Sequence, residues 1–481
     1  MPKRACLVLA LLAAWAGCAA PTSGPAPARR PNFAFVLVDD MRWDEMGVAG
    51  HPFIETPNMD RLAREGIRFV NAFATTPLCS PSRASFLTGQ YAHTNGIIDN
   101  TARPSHDLAT FPRELQRAGY ATGFFGKWHM GNDDSPRPGF THWVAMPGQG
   151  EALDPHLNVD GQRLQAKGYV TDLLTDYVER FIEGSKGQPF LAYLAHKAIH
   201  PNVIQQDDGR VVPMPGQPGG FVAAERHRGR YEGRSMPRRP NAFKPPVDKP
   251  ALMRRIGTLP PLGRETATTD EEIRGRIEML LGVDDSLGRI LSVLEKNRIL
   301  DDTVVVFTSD HGYFYGEHGL NEERRLAYEE TIRIPLLVRY PARIQAGRVA
   351  PQLVLSIDLA PTLLDLAGLT PGPGVQGRSL LPVFAGDPAT WRESFLIEYF
   401  SDTVFPRVLN MGYSAARTRS AKYIEYRDLQ GMNELYDLSS DPYEERNLID
   451  APEAAGLRAA LKAELERLLE ATSSPAPTTA P

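Results

Sequence analysis

The chain alternates short apolar runs with amphipathic stretches, and this pattern limits its fold more than any other feature. Residues 33–38 (FAFVLV) are all apolar, which is typical of a strand buried on both faces of a parallel sheet. The remaining pattern predicts strands at 121–125, 190–195 and 303–308 and helices at 57–65, 108–118, 271–297 (with a break near Gly282) and 358–367. Such alternation predicts an α/β fold with a mostly parallel central sheet sandwiched by helices.

The pattern changes near residue 391. Short strands at 395–399, 413–417 and 423–426 precede an amphipathic helix at 453–469, which predicts a small antiparallel C-terminal subdomain with a packing helix. Residues 202–265 are rich in Pro, Gly and Arg without periodicity, as in functional or mobile segments. The predicted organisation is a signal peptide at 1–18, a flexible linker at 19–31, the main α/β domain at 32–385, the C-terminal subdomain at 386–471 and a disordered tail at 472–481.

The N-terminus has the composition of an export signal. Lys3 and Arg4 provide positive charge, and residues 5–15 form an apolar stretch too short to span a bilayer. Residues 16–18 (AGC) are similar to a bacterial lipoprotein cleavage box. We therefore expect an exported protein that is either soluble in the periplasm or a membrane-anchored lipoprotein with its lipid at Cys18.

The charge balance bears on partners. The 481 residues include 53 basic and 58 acidic side chains, for a formal net charge of −5. This weak bias gives no basis for nucleic acid as a partner.

Cysteine usage is more informative. Cys6 and Cys18 lie in the export segment, which leaves Cys79 alone in the folded body. An exported protein usually pairs its cysteines in disulfides, and Cys79 has no intramolecular partner. It is therefore either a buried apolar residue or a site of chemistry.

The residues after Cys79 favour chemistry. Ser80 is a good helix N-cap and Pro81 suits the first helical position, so Cys79 is predicted just ahead of a helix N-terminus. Free backbone N–H groups and the helix dipole favour an anion there. Arg83, one turn along, can return over the same helix end. A nucleophile in this setting suits attack on a tetrahedral oxyanion ester.

Acidic residues follow two of the predicted strands. Asp39 and Asp40 end the first strand, and Asp310 and His311 follow the strand at 303–308. Because the carboxyl ends of parallel strands share one rim, we expect these side chains to lie together. Three carboxylates repel each other unless a cation is present, and oxygen ligands select a hard ion such as calcium. The alternative is that Asp39 and Asp40 simply begin a loop.

Residues 79–89 resemble the signature of the formylglycine-dependent sulfatases, Cys-x-Pro-Ser-Arg followed by Leu-Thr-Gly, with every fixed position present. The similarity extends over residues 32–470. In that family, part of the alkaline phosphatase superfamily, a formylglycine-generating or anaerobic sulfatase-maturating enzyme oxidises the cysteine to formylglycine. The resemblance implies an alkaline-phosphatase-like fold, sulfuric ester hydrolysis, and calcium ligation by Asp39, Asp40, Cys79, Asp310 and His311.

The resemblance also implies roles for residues outside this stretch. Lys127 and His129, in the pattern Gly-Lys-Trp-His, are expected to contact the nucleophile and the sulfate. His129 is then expected to take a proton from the remaining hydroxyl of residue 79, which expels sulfate. His200 is expected to contact the leaving-group oxygen. The implied catalytic set is Cys79, Arg83, Lys127, His129, His200 and Arg324.

Arg324 departs from the family pattern. It aligns with a sulfate-binding cation that is usually Lys. Arg keeps the charge and gains a bidentate grip, but it cannot transfer protons. Leaving-group protonation is therefore expected to fall to His200.

The substrate class is suggested by residues 137–161, which resemble bacterial glycan sulfatases of the N-acetylglucosamine-6-sulfatase type. This implies a sulfated carbohydrate substrate. The arginines between residues 226 and 239 are expected either to hold a polyanionic glycan or to form an ordinary solvated basic loop.

Two other functions stay open. The chain can be a phosphonate monoester or phosphodiester hydrolase of the same superfamily, or a lipoprotein that binds glycans without turning them over. The intact set of catalytic residues argues against a binder, because a binder needs no nucleophile.

Overall fold

The computed structural model describes residues 30–101, 105–401 and 404–473. Its strands are β1 Asn32–Val38, β2 Ile67–Phe73, β3 Ala121–Lys127, β4 His142–Met146, β5 His156–Val159, β6 Gln162–Gln165, β7 Phe190–Ala195, β8 Val203–Gln205, β9 Val211–Pro213, β10 Thr303–Ser309, β11 Arg333–Arg339, β12 Arg348–Ala350, β13 Val354–Leu355, β14 Ser394–Tyr399, β15 Tyr413–Thr418, β16 Ala421–Tyr426 and β17 Glu434–Asp437. Its α-helices are α1 Pro57–Glu65, α2 Cys79–Thr88, α3 Ala92–Asn95, α4 Phe111–Arg117, α5 Val170–Gly184, α6 Pro250–Met253, α7 Asp270–Lys296, α8 Glu329–Ile332, α9 Leu359–Leu366, α10 Leu381–Ala385 and α11 Ala455–Ser473.

The N-terminal predictions lie outside these ranges. They are the signal peptide, the lipid site at Cys18 and the linker as far as residue 29. No described helix combines the length and the apolar composition that a membrane crossing requires.

The predicted central parallel sheet is confirmed. β1 pairs in parallel with β10 on one side and β7 on the other, and β3 pairs in parallel with β7 and β4. Among the described residues this sheet has eleven strands, ordered β12-β2-β11-β10-β1-β7-β3-β4-β5-β6 with β13 beside β2. Antiparallel pairing is confined to β11, which joins β10 to β2, and to the β4-β5-β6 edge.

Helices cover both faces of this sheet. The side chains of β1 alternate between two apolar clusters, one containing Ala34, Val36 and Val38 and the other Phe33, Phe35 and Leu37. The first cluster includes α5 and α7, and the second includes α2, α4 and α9. Burying each large apolar side chain contributes about 1.5–3 kcal/mol, so β1 anchors both layers.

Helix α2 begins at Cys79, and the prediction that Ser80 caps it is wrong. Leu78 is the extended residue before the helix, and its carbonyl accepts from the N–H of Ser82 at 2.9 Å. The N–H of Ser80 donates to Asn100 Oδ1 at 3.0 Å, and the Ser80 hydroxyl donates to the carbonyl of His129. Asn100 and His129 therefore bind the N–H and the hydroxyl of Ser80, so this hydroxyl does not cap the helix. Cys79 lies within the first turn.

Helix α7 is continuous, and the predicted break near Gly282 is wrong. A capping box starts the helix, since Thr269 Oγ1 accepts from the N–H of Glu272 and the Glu272 carboxylate accepts from the N–H of Thr269. Most of the helix interior is buried, in contact with α5 and α1 and in the apolar cluster that includes side chains of the central sheet. This burial outweighs the cost of about 1 kcal/mol for one glycine in a helix.

The predicted C-terminal antiparallel sheet with a packing helix is also present. Its strand order is β14-β15-β16-β17, and α11 buries Leu461, Leu465 and Leu468 in the same cluster. The helix extends to Ser473, so the predicted tail is helical at 472–473, and residues 474–481 lie outside the described ranges. The domain boundary at residue 385 stays a prediction.

The small sheet holds the stretch 324–329. Tyr413 Oη donates to the carbonyl of Arg325 at 3.1 Å, and Lys422 Nζ donates to the carbonyl of Ala327 at 2.6 Å. Arg417 pairs with Glu329 at 3.1 Å. Because these groups are buried, their contacts fix the backbone that carries Arg324.

Candidate active site

The carboxyl ends of the central strands bring the predicted acidic residues together. Asp39 and Asp40 follow β1, and Asp310 follows β10, its parallel neighbour. All three carboxylates are fully buried. Lys127 ends β3 and reaches the same rim, where its ammonium contacts Asp39.

Four side chains at this rim form a group that can hold a metal ion. Ligand atoms of Asp39, Asp40, Cys79 and His311 all lie within 4.8 Å of one another. His311 Nδ1 donates to the carbonyl of Gly312 at 3.0 Å, because a carbonyl oxygen only accepts. His311 Nε2 therefore faces Cys79 Sγ, 3.4 Å away.

Asp40 shows whether a cation suits this group. Arg324 Nε lies 2.8 Å from Asp40 Oδ1, yet neither buried oxygen of Asp40 accepts a well-directed hydrogen bond from a described residue. A buried carboxylate in this condition is costly unless a cation coordinates it. Carboxylate oxygens are the ligands that calcium prefers, so Asp39 and Asp40 suit calcium, whereas the Cys79 sulfur and the His311 imidazole are not oxygen ligands.

Asp310 lies beside this group and is held by other partners. Its Oδ1 accepts from the N–H groups of Asp40 at 3.0 Å and His311 at 2.9 Å, and its Oδ2 accepts from Arg83 Nε at 3.0 Å. Arg83 also donates to the carbonyl of Lys127 at 2.7 Å. Arg83 therefore joins the first turns of α2 to the ends of β3 and β10.

The Cys79 thiol lies among positive charges. Burial raises its pKa, but Lys127 and His311 outweigh burial, and the pKa falls below its ordinary value. Arg83 lies one turn along the same helix. The site therefore favours negative charge at residue 79, as the sequence predicted.

His200 and Arg324 contact each other beside the carboxylates. Arg324 Nη2 donates to His200 Nε2 at 2.8 Å, and His200 Nδ1 donates to the carbonyl of Pro201 at 2.9 Å. The same carbonyl accepts from Lys197 Nζ at 2.8 Å. Burial, with the charge of Lys127 adding to it, lowers the pKa of Lys197 to about 7. Burial, followed by the charge of Lys127, holds the pKa of His200 well below its ordinary value. A fixed cation and one group able to donate a proton, Lys197, therefore lie near Asp40, whereas His200 Nε2 accepts from Arg324 and carries no hydrogen in this arrangement.

His129 lies just beyond β3 and is buried. Burial, followed by the charge of Lys127, holds its pKa well below the ordinary value, so the imidazole is neutral. The backbone of His129 has φ 56°, and that of Asp40 has φ 66°. Left-handed backbone is uncommon for residues other than glycine and is concentrated at functional sites.

The arginines of the irregular segment are already paired. Their contacts are Arg226 with Asp172 and Asp285 (both 2.8 Å), Arg228 with Glu225 (2.8 Å), Arg230 with Glu55 (2.6 Å), Arg238 with Asp270, Arg239 with Glu330 (3.3 Å), and Arg234 over the ring of Phe53. These partners favour the ordinary basic loop over a surface for a polyanion.

Two buried amide side chains of the site were not predicted from the sequence. Gln205 lies on β8 within the irregular segment, and Asn100 lies in the loop after α3. A single Gln or Asn outside a motif carries no chemical signal. Asp208 and Gly209 between two Val-containing runs are the hairpin signal that locates β8 and β9.

Family comparisons match nearly the whole described chain. Residues 31–369 match the family described as Sulfatase. Residues 316–471 match the family described as N-sulphoglucosamine sulphohydrolase, C-terminal.

Individual relatives extend this similarity. An N-acetylglucosamine-6-O-sulfatase of Bacteroides thetaiotaomicron is 34% identical over 92% of this chain and 86% of its own length. An N-acetylglucosamine-6-sulfatase of Capra hircus is 30% identical over 92% of this chain and 84% of its own length. A solved structure of a protein in complex with its substrate D-glucosamine-2-N,6-O-disulfate has 31% identity and a TM-score of 0.81, and the match covers 94% of this chain and 100% of that chain.

Proposed function

The chain belongs to the sulfatase family of the alkaline phosphatase superfamily and is a sulfuric ester hydrolase. We propose that its substrate is a sulfated carbohydrate such as N-acetylglucosamine 6-sulfate. Two relatives that span most of the chain are named for that activity. The solved structure in complex with a 6-O-sulfated glucosamine supports the same class of substrate. The wider superfamily alternative, phosphonate or phosphodiester hydrolysis, is less favoured, because two relatives that are at least 30% identical over 92% of this chain are named as N-acetylglucosamine-6-sulfatases.

We propose that Cys79 is oxidised to formylglycine by a formylglycine-generating or anaerobic sulfatase-maturating enzyme. The sulfatase signature at 79–89 and the cationic surroundings of the thiol support this. Cys79 is only 1% exposed in the folded chain. A maturating enzyme therefore acts before the chain around residue 79 folds. The hydrated aldehyde supplies one hydroxyl that attacks sulfur and a second whose deprotonation expels sulfate.

The calcium site is proposed at Asp39, Asp40, residue 79, Asp310 and His311. Bound there, calcium would supply positive charge for the sulfuryl oxygens and lower the pKa of the nucleophilic hydroxyl. The orphaned oxygens of Asp40 support this assignment. Asp310 lies beside the other four residues, and its oxygens also accept hydrogen bonds from Arg83 and from two backbone N–H groups.

Sulfate binding and proton transfer are assigned to side chains of the chain itself. Lys127, Arg83 and Arg324 provide the cations that hold sulfuryl oxygens. His200 is assigned to contact the leaving-group oxygen, although its Nε2 accepts from Arg324 and carries no hydrogen in this arrangement. Lys197 is therefore the proposed proton source, because its pKa of about 7 allows donation near neutrality.

We propose that the protein is exported, on the basis of the predicted N-terminal signal. The exported protein is then either soluble in the periplasm or anchored by a lipid at Cys18. Relatives that include an extracellular sulfatase homologue of Drosophila melanogaster are consistent with a substrate outside the cell.

The single observation that carries the proposal is Cys79 in the first turn of α2, facing His311 and Lys127. Cys79→Ala is expected to abolish hydrolysis of N-acetylglucosamine 6-sulfate and of an aryl sulfate while the melting temperature stays close to wild type. Ser85→Ala is the matched control, since Ser85 is buried on the same helix and its hydroxyl has no hydrogen-bond partner among the described residues.

Mass spectrometry of the peptide containing residue 79 tests maturation in the same samples. Formylglycine in active protein supports the proposal, and full activity with an intact thiol contradicts it. Aryl phosphonate turnover above sulfate turnover would favour the alternative hydrolase. Carbohydrate binding without turnover by matured protein would favour a binding function.

A further inference from the structure

The imidazole of His129 has a single described partner on its Nε2 side, the side chain of Gln205. His129 Nε2 lies 2.6 Å from Gln205 Oε1. The two side chains belong to residues that are 1% and 5% exposed. Water therefore does not replace this contact readily. The contact between His129 Nε2 and Gln205 Oε1 determines which ring nitrogen carries the hydrogen.

The orientation of the Gln205 amide follows from its other contact. Gln205 Nε2 lies 2.8 Å from the backbone carbonyl oxygen of Asn100, which only accepts hydrogen bonds. The amide nitrogen must therefore face Asn100, and Oε1 must face His129. Gln149 Nε2 donates to the same Oε1 at 3.3 Å, which agrees with this orientation.

This orientation selects one tautomer of His129. Because Gln205 Oε1 only accepts, His129 Nε2 must carry the hydrogen. The neutral imidazole then has its lone pair on Nδ1. That atom is buried and has no hydrogen-bond partner among the described residues. His129 follows Lys127 by two residues, and burial together with the charges of Lys127 and Arg83 lowers the pKa of this imidazole.

A closed ring of hydrogen bonds connects this pair to residue 79. Asn100 Oδ1 accepts from the N–H of Ser80, the residue next to Cys79, at 3.0 Å. The hydroxyl of Ser80 donates to the carbonyl of His129. Ser80, Asn100, Gln205 and His129 therefore hold one another, and β8 is joined to the first turn of α2.

We propose that Gln205 is a positioning residue that holds His129 as the Nε2–H tautomer, so that Nδ1 is the base that accepts the proton of the residue 79 hydroxyl when sulfate is expelled. The inference rests on the proposed function for the identity of that hydroxyl. The tautomer itself follows from the contacts of Gln205 alone.

The kinetic test separates this role from a structural one. Gln205→Leu removes the acceptor, so expulsion of sulfate slows while the earlier transfer step does not. With matured enzyme and an aryl sulfate, kcat is expected to fall about 100-fold. KM is expected to fall with it, so that kcat/KM stays within about 3-fold of wild type. A burst of about one equivalent of phenol per enzyme is expected before the slow phase.

Matched variants control for general damage. Asp207→Asn alters the hairpin contact with Asn132 Nδ2, which is 2.8 Å long, and does not touch Gln205 or His129. It is expected to keep kcat within about 3-fold of wild type. Gln205→Glu keeps an acceptor for His129 Nε2 and is expected to restore kcat at least about 10-fold above Gln205→Leu. A fall in kcat/KM equal to the fall in kcat, without a burst, would overturn the proposal.

A second readout does not depend on turnover. In protein labelled with ¹⁵N-histidine, the resonances of His129 are assigned as those lost in His129→Gln. Wild type is expected to show a protonated Nε2 and an unprotonated Nδ1, and Gln205→Leu a mixture of tautomers. A protonated Nδ1 in wild type refutes the inference even when the variants fail to fold. If matured wild type hydrolyses no sulfate ester, the proposed function fails, and the NMR result still decides the tautomer.

Discussion

Arg324 illustrates how one residue departs from its family and still fits the site. Its guanidinium reaches Asp40 through Nε at 2.8 Å and His200 through Nη2 at 2.8 Å, while Nη1 donates to the carbonyl of Glu322 at 3.1 Å. A lysine ammonium carries all its donors on one nitrogen, whereas Arg324 reaches Asp40 and His200 through two different nitrogens of a planar group. The arginine therefore fixes the relative position of a carboxylate and an imidazole.

Substitution of Arg324 tests this fixed geometry. Arg324→Lys is expected to lower kcat/KM about 10-fold because one of the two contacts is lost, and Arg324→Met about 100- to 1000-fold because the charge is lost as well. Steady-state kinetics of matured protein measures both values. Arg348→Lys, on the edge strand β12, is the control. A lysine variant as active as wild type would show that the double contact is not used.

At this scale, prediction from sequence succeeded where residues follow strands or lie in a motif. Asp39, Asp40 and Asp310 could be brought together because parallel strands end at one rim. Gln205 could not, because its place depends on a hairpin folding back onto His129, and no local pattern encodes that contact.

Among the secondary-structure elements, helix α1 depends on a side chain from another helix. Its N-cap residue, Thr56, makes no side-chain capping hydrogen bond. The carboxylate of Asp284, on α7, accepts instead from the N–H groups of Asn58 at 3.2 Å and Met59 at 2.9 Å. Asp284 therefore caps α1 although it lies far away in the sequence. The same hydrogen bonds hold α1 and α7 together.

Asp284 is expected to make stability depend on pH. Burial raises its pKa from 3.8 to about 6, although the N–H groups of Met59 and Asn58 oppose this. The folded chain therefore holds a proton that the unfolded chain loses above pH 4, so the stabilising contribution is complete below pH 4 and is lost as pH rises through 6. The loss from this group is about 2–3 kcal/mol.

Comparison with Asp284→Asn isolates this effect. The free energy of unfolding of wild type minus that of the variant is expected to decrease between pH 4 and pH 7, since all other titrating groups cancel in the difference. Urea unfolding at a series of pH values measures it. Parallel stability curves for the two proteins would contradict the assignment.

The elements themselves were predictable to different degrees. The bounds of α1 and β7 agree with the sequence pattern, because a proline start, a glycine end or a continuous apolar run marks them. The start of α2 and the continuity of α7 could not be predicted from the sequence. Tertiary hydrogen bonds override the local preference at Ser80, and burial overrides it at Gly282.

For the molecule as a whole, the proposed calcium site, whose residues lie at the end of β1, on α2 and after β10, would link ion binding to folding. An ion that binds only the folded chain stabilises it by about 2.7 kcal/mol at 100 times its Kd. Calcium is therefore expected to raise the melting temperature of wild type, and a chelator to lower it. Asp40→Asn is expected to remove the calcium response, whereas Asn at the exposed Asp450 is expected to keep it. An equal calcium response in Asp40→Asn would place the ion elsewhere.

The small C-terminal sheet gives the enzyme a minimum length. None of the side chains proposed to bind sulfate or transfer protons lies on its strands. Tyr413, Lys422 and Arg417 nevertheless hold the backbone beside Arg324. A premature stop near residue 390 would leave every proposed reacting side chain in the truncated chain. The truncated chain is nevertheless expected to be inactive, because the contacts that hold the backbone beside Arg324 are lost. Trimming this family member to its larger sheet is therefore no route to a compact catalyst.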